Sequence, residues 1–290
     1  MIVDLFAGPG GWSEGLRMLS PELHATEIGL EWDEFACATR AAANHRTIRT
    51  DIAAYPTEIF TDVVGLIASP PCQDFSIAGA KAGITGERGQ LITEVLRWAE
   101  DLRPEWIACE QVPPALSVWK QYAEHLRTFG YSTWAGVLNA ADYGVPQARK
   151  RAFLLASRVR EVQPPAPTHC KPAKNEGHLP NWVTIQDATG YDGIINSGCA
   201  HGGKGREHAL KMDATTRPSI TVTTKVGSQW HLYDVPGYRR LHKREALLLQ
   251  SFREDYPVVG NRTQFFQQVG DAVPPALAAC VLAVACGMNL

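Results

Sequence analysis

The chain has 290 residues, 45% of them hydrophobic and 20% charged, with a formal net charge of −2. This length buries a sizeable core, in one large α/β domain or in such a domain with a smaller partner, and the near-neutral total excludes a uniformly basic nucleic-acid binder. Seven cysteines without a C-x-x-C pair exclude a disulfide framework and fit reduced thiols. With no basic-apolar leader, and with the longest apolar run ("ALAACVLAVACGMNL") short of a membrane span, the expectation is a soluble, cytoplasmic chain with no membrane partner. The charge is unevenly spread: residues 149 to 244 hold about 16 basic and 7 acidic side chains, roughly +9, so the remainder carries roughly −11.

In chain order, "MIVDLFA" reads as a strand, followed by a helix from about Gly11, the strand "ATEIGLE" and the helix "DEFACATRAAANH". "DVVGLIAS", a helix around "LITEVLRWAEDL", "EWIACE", a helix around "LSVWKQYAEHLRTFG", and the strands "YSTWAGVLN" and "AFLLAS" complete the first 160 residues. Strands alternating with helices predict an α/β fold, a doubly wound, mainly parallel sheet covered on both faces, with ligands outside the carboxyl ends of the strands. Residues 164–181 are rich in Pro, Lys, Asn and His and read as a linker. Residues 182–238, with β-branched runs such as "PSITVTTKV", read as a small β-rich or irregular module. Helical periodicity returns in "HKREALLLQSF" and in the final segment, where Pro274 and Pro275 suit a first turn. The corresponding division is a catalytic, cofactor-binding domain of residues 1–170 and 261–290 and a small domain of residues 171–260.

The first strand and helix are joined by "DLFAGPGGWSEG", whose Gly8, Gly10 and Gly11 permit a tight turn and close approach of a ligand to the backbone. Ser13 stands where the last glycine of G-x-G-x-x-G would fall, so the dinucleotide fingerprint fails. Glu31, about 20 residues on at a strand end, is placed to accept from a ribose. Trp32 could stack on an adenine, and Asp51, at the end of the third strand, could accept from an exocyclic amine. These residues point to a nucleoside cofactor without choosing between a nicotinamide and a sulfonium.

"LIASPPCQDFS" ends a strand on Pro70-Pro71 and displays Cys72 before a polar, glycine-rich stretch with the composition of an active-site loop. With "DLFAGPGG", "SPPCQDFS", "ACEQV", "YGVPQARKR", "RRLHKREALLLQSF" and "QVGDAVPPALA" in this order, the chain resembles the DNA cytosine-5 methyltransferase family over nearly its whole length except residues 160–236. The resemblance implies a Rossmann-like methyltransferase fold with a small target-recognition domain, and S-adenosylmethionine as methyl donor. It further implies that Cys72 adds to carbon 6 of cytosine, that Glu110 in protonated form donates to N3, and that Arg151 bonds the cytosine O2. Arg149 would brace the loop or contact phosphate, as one of the catalytic group. Phe6, Gly8, Gly11, Glu31, Trp32, Asp51, Pro71, Leu91, Asp271, Ala272 and Val273 would line the donor site. Gln73, Ser76, Arg88 and Gln147 would contact DNA.

Two positions depart from the family pattern: Gln111 stands where the family has Asn after the catalytic Glu, and Asp271 where Asn is more usual. A cytosine inside a duplex is unreachable, so base flipping is implied, with the basic region facing phosphates of double-stranded DNA. A restriction endonuclease acting independently on the same sequence is a further expected partner. The protein itself is expected to be a monomer associated with the nucleoid. His169, Cys170, His178, Cys199, His201 and His208 match no zinc-finger or ribbon spacing, so no metal is expected. The rivals are an RNA-acting branch of the family, a catalytically idle DNA binder and a nicotinamide oxidoreductase; intact Cys72, Glu110 and Arg151 oppose the second and the failed glycine spacing the third.

Overall fold

The structure is a computed structural model, and it describes residues 1–71, 91–172, 177–197, 210–234 and 237–288. The first half alternates as expected: β1 (Ile2–Leu5), α1 (Gly11–Leu19), α2 (Pro21–Ala25), β2 (Glu27–Glu31), α3 (Glu34–Ala42), β3 (Thr47–Arg49) and β4 (Gly65–Ala68). It continues through α4 (Leu91–Leu102), β5 (Trp106–Gln111), α5 (Leu116–Thr128), β6 (Ser132–Asn139), β7 (Gln147–Ala148) and β8 (Lys150–Ser157). Seven strands form one sheet in the order β3-β2-β1-β4-β5-β8-β6. The first five are mutually parallel, and β8 runs antiparallel to both its neighbours. β1 and β4 are buried at every position, as strands covered on both faces must be.

Each face of the sheet has its own core. On one, α4 inserts Ile92, Val95 and Trp98 and α5 inserts Trp119 and Leu126 beside Leu5 and Leu66. On the other, Trp12 and Leu16 of α1 meet Leu277, Val281 and Leu282 of the last helix, α10, beside Ile67 and Phe153. Gly15 permits that helix contact, because a Cβ there would lie 2.6 Å from the Cβ of Ala278.

The second half contains α6 (Ile185–Thr189), β9 (Ile194–Asn196), β10 (Lys211–Asp213), β11 (Ser219–Ile220), α7 (Val226–Gln229), β12 (His231–Asp234) and β13 (Gly237–Arg240). α8 (Lys243–Leu249), α9 (Arg262–Asp271) and α10 (Pro275–Cys286) close the chain. Four of the short strands make an antiparallel sheet, β10-β9-β12-β13. Its inner face (Ile195, Met212, Leu232) shares a third core with Leu247 of α8, Tyr256, and Phe265, Phe266 and Val269 of α9. The β-branched run "PSITVTTKV" becomes strand only at Ser219–Ile220, where β11 pairs with β7 of the first half, and Val226 opens a helix. Helix α9 was absent from the sequence reading. Its start is marked by a capping box, in which the Asn261 side chain accepts from the Gln264 N–H and the Gln264 side chain accepts from the Asn261 N–H. Taken end to end, Arg262–Cys286 is long and apolar enough to cross a membrane by length and composition, but most of it is buried inside the protein.

Candidate active site

The carboxyl ends of β1, β2, β4 and β5 open into one cavity of about 700 Å³. At one end stands the glycine turn. Phe6 takes a left-handed φ of 57°, Gly8 of 52° and Gly10 of 100°, and this sequence of turns brings the chain from the cavity's edge into α1. Gly11 has no room for a side chain, since a Cβ would lie 2.2 Å from the carbonyl oxygen of Val273, so the turn packs directly on the chain between α9 and α10. Glu31 fixes the turn from the next strand: its carboxylate accepts from the amides of Gly8 (2.7 Å), Trp32 (2.8 Å) and Asp33 (2.8 Å).

Phe6, Gly8, Gly11, Glu31, Trp32, Asp51, Pro71, Leu91, Asp271, Ala272 and Val273 all line this cavity. Trp32 is 71% exposed, an aromatic face offered to a ligand rather than to the core. The donor set is a carboxylate at the ribose position, an uncovered indole and a second carboxylate, Asp51, beyond it. That set fits a nucleoside, and the open space at Gly8, where a Cβ would meet only one atom at 4.0 Å, fits its approach to the backbone.

Glu110, Arg149 and Arg151 line the same cavity at its other end. Glu110, next to last in β5, is 7% exposed, with Oε1 3.0 Å from Nε of Arg151. Burial pushes its carboxyl above the ordinary value against the pull of Arg151, Arg149 and a Ser69 hydrogen bond, the direction a proton donor needs. Ser69, which the sequence reading passed over, also accepts from Nε1 of Trp12 at 2.8 Å and so ties the glycine-turn helix to the catalytic strand end. Its signal was its place, the first residue after β4. Gln111 is 2% exposed, and its amide bridges two backbones: Nε2 donates to the Pro70 carbonyl (2.7 Å) and Oε1 accepts from the Val112 amide (2.6 Å). The strand of Glu110 thereby holds the segment that leads into Cys72.

Asp271 is open to the cavity but enclosed by protein on its other sides; that enclosure pushes its carboxyl up to about 6, with Arg149 and Arg151 opposing and Glu110 adding to the rise. Cys72, Gln73, Ser76 and Arg88 lie outside the described residues, as do Cys199, His201 and His208.

Gln147 requires a correction. Expected on the DNA, it is fully buried, donates to the Leu249 carbonyl (3.1 Å) and to Oε1 of Gln250 (2.7 Å), and accepts from the Val222 amide (2.7 Å). A side chain closed off from solvent and bonded on both sides cannot reach a phosphate. Arg149 behaves similarly: 1% exposed, it donates to the carbonyls of Val222 (3.0 Å), Gly270 (2.9 Å) and Ala272 (3.3 Å). It holds together the segment after β11 and the end of α9. Arg151 alone of the three motif side chains turns toward Glu110.

Comparison with known proteins agrees with this arrangement. The family model for C-5 cytosine-specific DNA methylases matches residues 1–180 and 163–285. The type II methyltransferase M.NgoFVII of Neisseria gonorrhoeae is 27% identical over 94% of this chain and 83% of its own length. M.HhaI of Haemophilus parahaemolyticus is 26% identical over 93% and 89%. Among solved structures, the S. pombe Dnmt2 methyltransferase superposes with a TM-score of 0.71 at 16% identity over 99% of this chain and 98% of its own, and shares the fold. The chain belongs to the C-5 cytosine-specific DNA methylase family, enzymes that pass a methyl group from S-adenosylmethionine to carbon 5 of cytosine in DNA.

Proposed function

We propose that the transfer proceeds by transient covalent attack of Cys72 on carbon 6 of a cytosine flipped out of double-stranded DNA, with Glu110 protonated at N3 and Arg151 at O2. Carbon 5 of an aromatic cytosine is too electron-poor to take a methyl group; adding the thiolate sulfur at carbon 6 makes it an enamine carbon. Glu110 supplies the proton that the ring needs on addition, and Arg151 stabilises the charge on oxygen. S-adenosylmethionine supplies the methyl group at carbon 5. Water then takes the carbon 5 proton, the electrons of that C–H bond reform the ring double bond, the carbon–sulfur bond breaks to return the thiolate, and N3 gives its proton back to Glu110.

One observation carries this reading: a single cavity has the expected nucleoside-binding residues at one end, the buried Glu110 paired with Arg151 at the other, and Pro71, the residue before Cys72, in its wall. The donor-site roles of Phe6, Gly8, Gly11, Glu31, Trp32, Asp51, Leu91, Asp271, Ala272 and Val273 belong to the same proposal. So does the division into a catalytic unit (1–170 and 261–290) and a recognition unit (171–260) whose basic surface meets phosphates. The names of the relatives, type II methyltransferases, support a place in a restriction-modification system; a separate endonuclease and a cytoplasmic, nucleoid-associated monomer belong to the same proposal.

The test is a pool of duplexes with 5-fluorocytosine throughout, incubated with the protein and S-adenosylmethionine. Fluorine cannot leave as a proton does, so the adduct persists. A denaturation-resistant complex that maps by peptide mass to Cys72, and that Cys72→Ser abolishes, is expected. Absence of any adduct, or one on another residue, refutes the proposal.

A further inference from the structure

Directly beneath the glycine turn lies a buried polar chain that the transfer chemistry does not use. The Tyr256 hydroxyl donates to the Pro9 carbonyl at 2.5 Å. On its other side it stands 3.1 Å from Nε2 of His45, which is also 3.3 Å from Oε1 of Glu14. Nδ1 of His45 is 2.8 Å from Nε2 of His24. Tyr256 and His45 are 3% and 5% exposed, and a Cβ on Gly10 would lie 2.7 Å from the hydroxyl and 2.8 Å from the imidazole, so the turn rests on both rings.

The order of protons in this chain follows from its end. A carbonyl only accepts, so the tyrosine proton points at Pro9, and the hydroxyl must accept from His45. That places the His45 proton on Nε2 and leaves Nδ1 as an acceptor, which in turn places the His24 proton on its Nε2. Both imidazoles are then neutral. A further proton on His45, at Nδ1, would drive the His24 proton off Nε2 and set a positive imidazole 3.3 Å from the Arg17 guanidinium, which is also 3.4 Å from His24.

The charged groups around the pair are Glu14 and Arg17 of α1, Glu27 of β2 and Arg40 of α3, with Arg253 beside Tyr256. Burial holds both histidines below their ordinary range, in agreement with the proton order. His24, Glu27 and His45 could also present three ligand atoms to a cation. Arg17, seated against the imidazole nitrogens such an ion would need, and the bond between the two rings mark the cluster as a hydrogen-bond network instead.

We infer that Tyr256, oriented by His45, is a positioning residue for the methyl donor: its hydroxyl holds the Pro9 carbonyl and thereby the turn from Phe6 to Gly11, and acid releases the turn by protonating the histidine pair. The inference rests on the assignment of that turn to S-adenosylmethionine. Tyr256 belongs to the same core as the antiparallel sheet of the second half, so the donor turn leans on the small module although 247 residues separate the bonded pair.

Tyr256→Phe in the full chain keeps the ring and removes the hydroxyl. Calorimetry with S-adenosylmethionine is expected to show affinity weakened about ten-fold, the loss of roughly one hydrogen bond, and kinetics on a mixed-sequence duplex to show the same rise in KM with kcat changed by no more than about two-fold. Between about pH 7 and pH 5 the wild type is expected to lose more donor affinity than the variant, which is already untied and keeps only the change due to Asp271 of the donor site. Unchanged affinity in the variant, a parallel fall of kcat and thermal stability without a KM effect, or an acid loss identical in both proteins would each overturn the inference while leaving the donor assignment intact. Failure of the wild type to bind S-adenosylmethionine would overturn that assignment and the inference with it.

Discussion

Arg149→Ala separates two roles that the Gln-x-Arg-x-Arg motif leaves open. In the structure the guanidinium is 1% exposed and satisfies three backbone carbonyls, one from the segment after β11 and two at the end of α9. A hydrogen bond from a charged donor contributes about 1.5–3 kcal/mol, and removing the donor leaves buried carbonyls unpaired. These terms do not add fully, and severing a buried network of this kind costs about 3–5 kcal/mol. At about 2 °C per kcal/mol for a chain of this size, Tm should fall by about 6–10 °C. Arg149→Lys should recover little of it, because one ammonium cannot reproduce the planar fork that reaches carbonyls on two separate segments. The discriminating assay is DNA binding by anisotropy from about 50 to 200 mM salt: a phosphate contact would lower the slope of log affinity on log salt by about 0.9. The structure requires a large loss of stability with an unchanged slope. A stable variant with a shallower slope would refute the bracing role.

Glu110→Gln should lower kcat roughly 10²–10⁴-fold with little change in donor affinity, measured by single-turnover methyl transfer and calorimetry. In the wild type, kcat/KM should fall as pH rises through the raised pKa of Glu110, because only its protonated form donates to N3; a rate still rising across that range would remove it as the proton source. Asp271, raised to about 6 in the folded protein, favours folding most when protonated: its contribution is present below the ordinary carboxylate pKa of about 3.9 and lost as pH rises through about 6. Asp271→Asn should therefore match the wild type in thermal stability near pH 4 and exceed it above pH 6, and a difference independent of pH would show that Asp271 does not titrate this way.

The cavity was legible because a parallel sheet puts its ligand at one edge: Gly8, Glu31, Asp51 and Pro71 follow successive strand ends and converge on it. Glu110 was legible for the same reason. Helix α9 was not, since "RTQFFQQVGD" alternates aromatic and glutamine residues without a broad apolar stripe, and it forms because Phe265, Phe266 and Val269 find the small module's core. Nor was the fate of "PSITVTTKV": β propensity favours a strand, but the Val222 amide is taken by the Gln147 side chain and the ladder stops at Ile220. Gln147 and Arg149 were misread or left undecided because a motif gives residue types and spacing, while whether a polar side chain turns to solvent or into the interior depends on partners far away in sequence.

The two ties to proline carbonyls have a common physical origin. Pro9 and Pro70 each lie in a segment that must leave the sheet at the cavity's edge, and proline, which has no N–H to give a ladder, favours that exit. Each also leaves a carbonyl that no neighbouring strand accommodates. At Pro70 the partner is Gln111, the residue after the catalytic glutamate; at Pro9 it is Tyr256, from the chain leading to α9. The glycine turn and the approach to Cys72 are thus each held by a buried side chain, Tyr256 behind the turn and Gln111 in the cavity wall. Gln111 serves at the departure from the family's asparagine because its longer side chain spans from its own strand to Pro70 while turning back to the Val112 amide. Shortening it to Asn removes one methylene from that span, so one of the two bonds must lengthen, and the segment entering Cys72 loses its register against Glu110 before any group that touches substrate has changed.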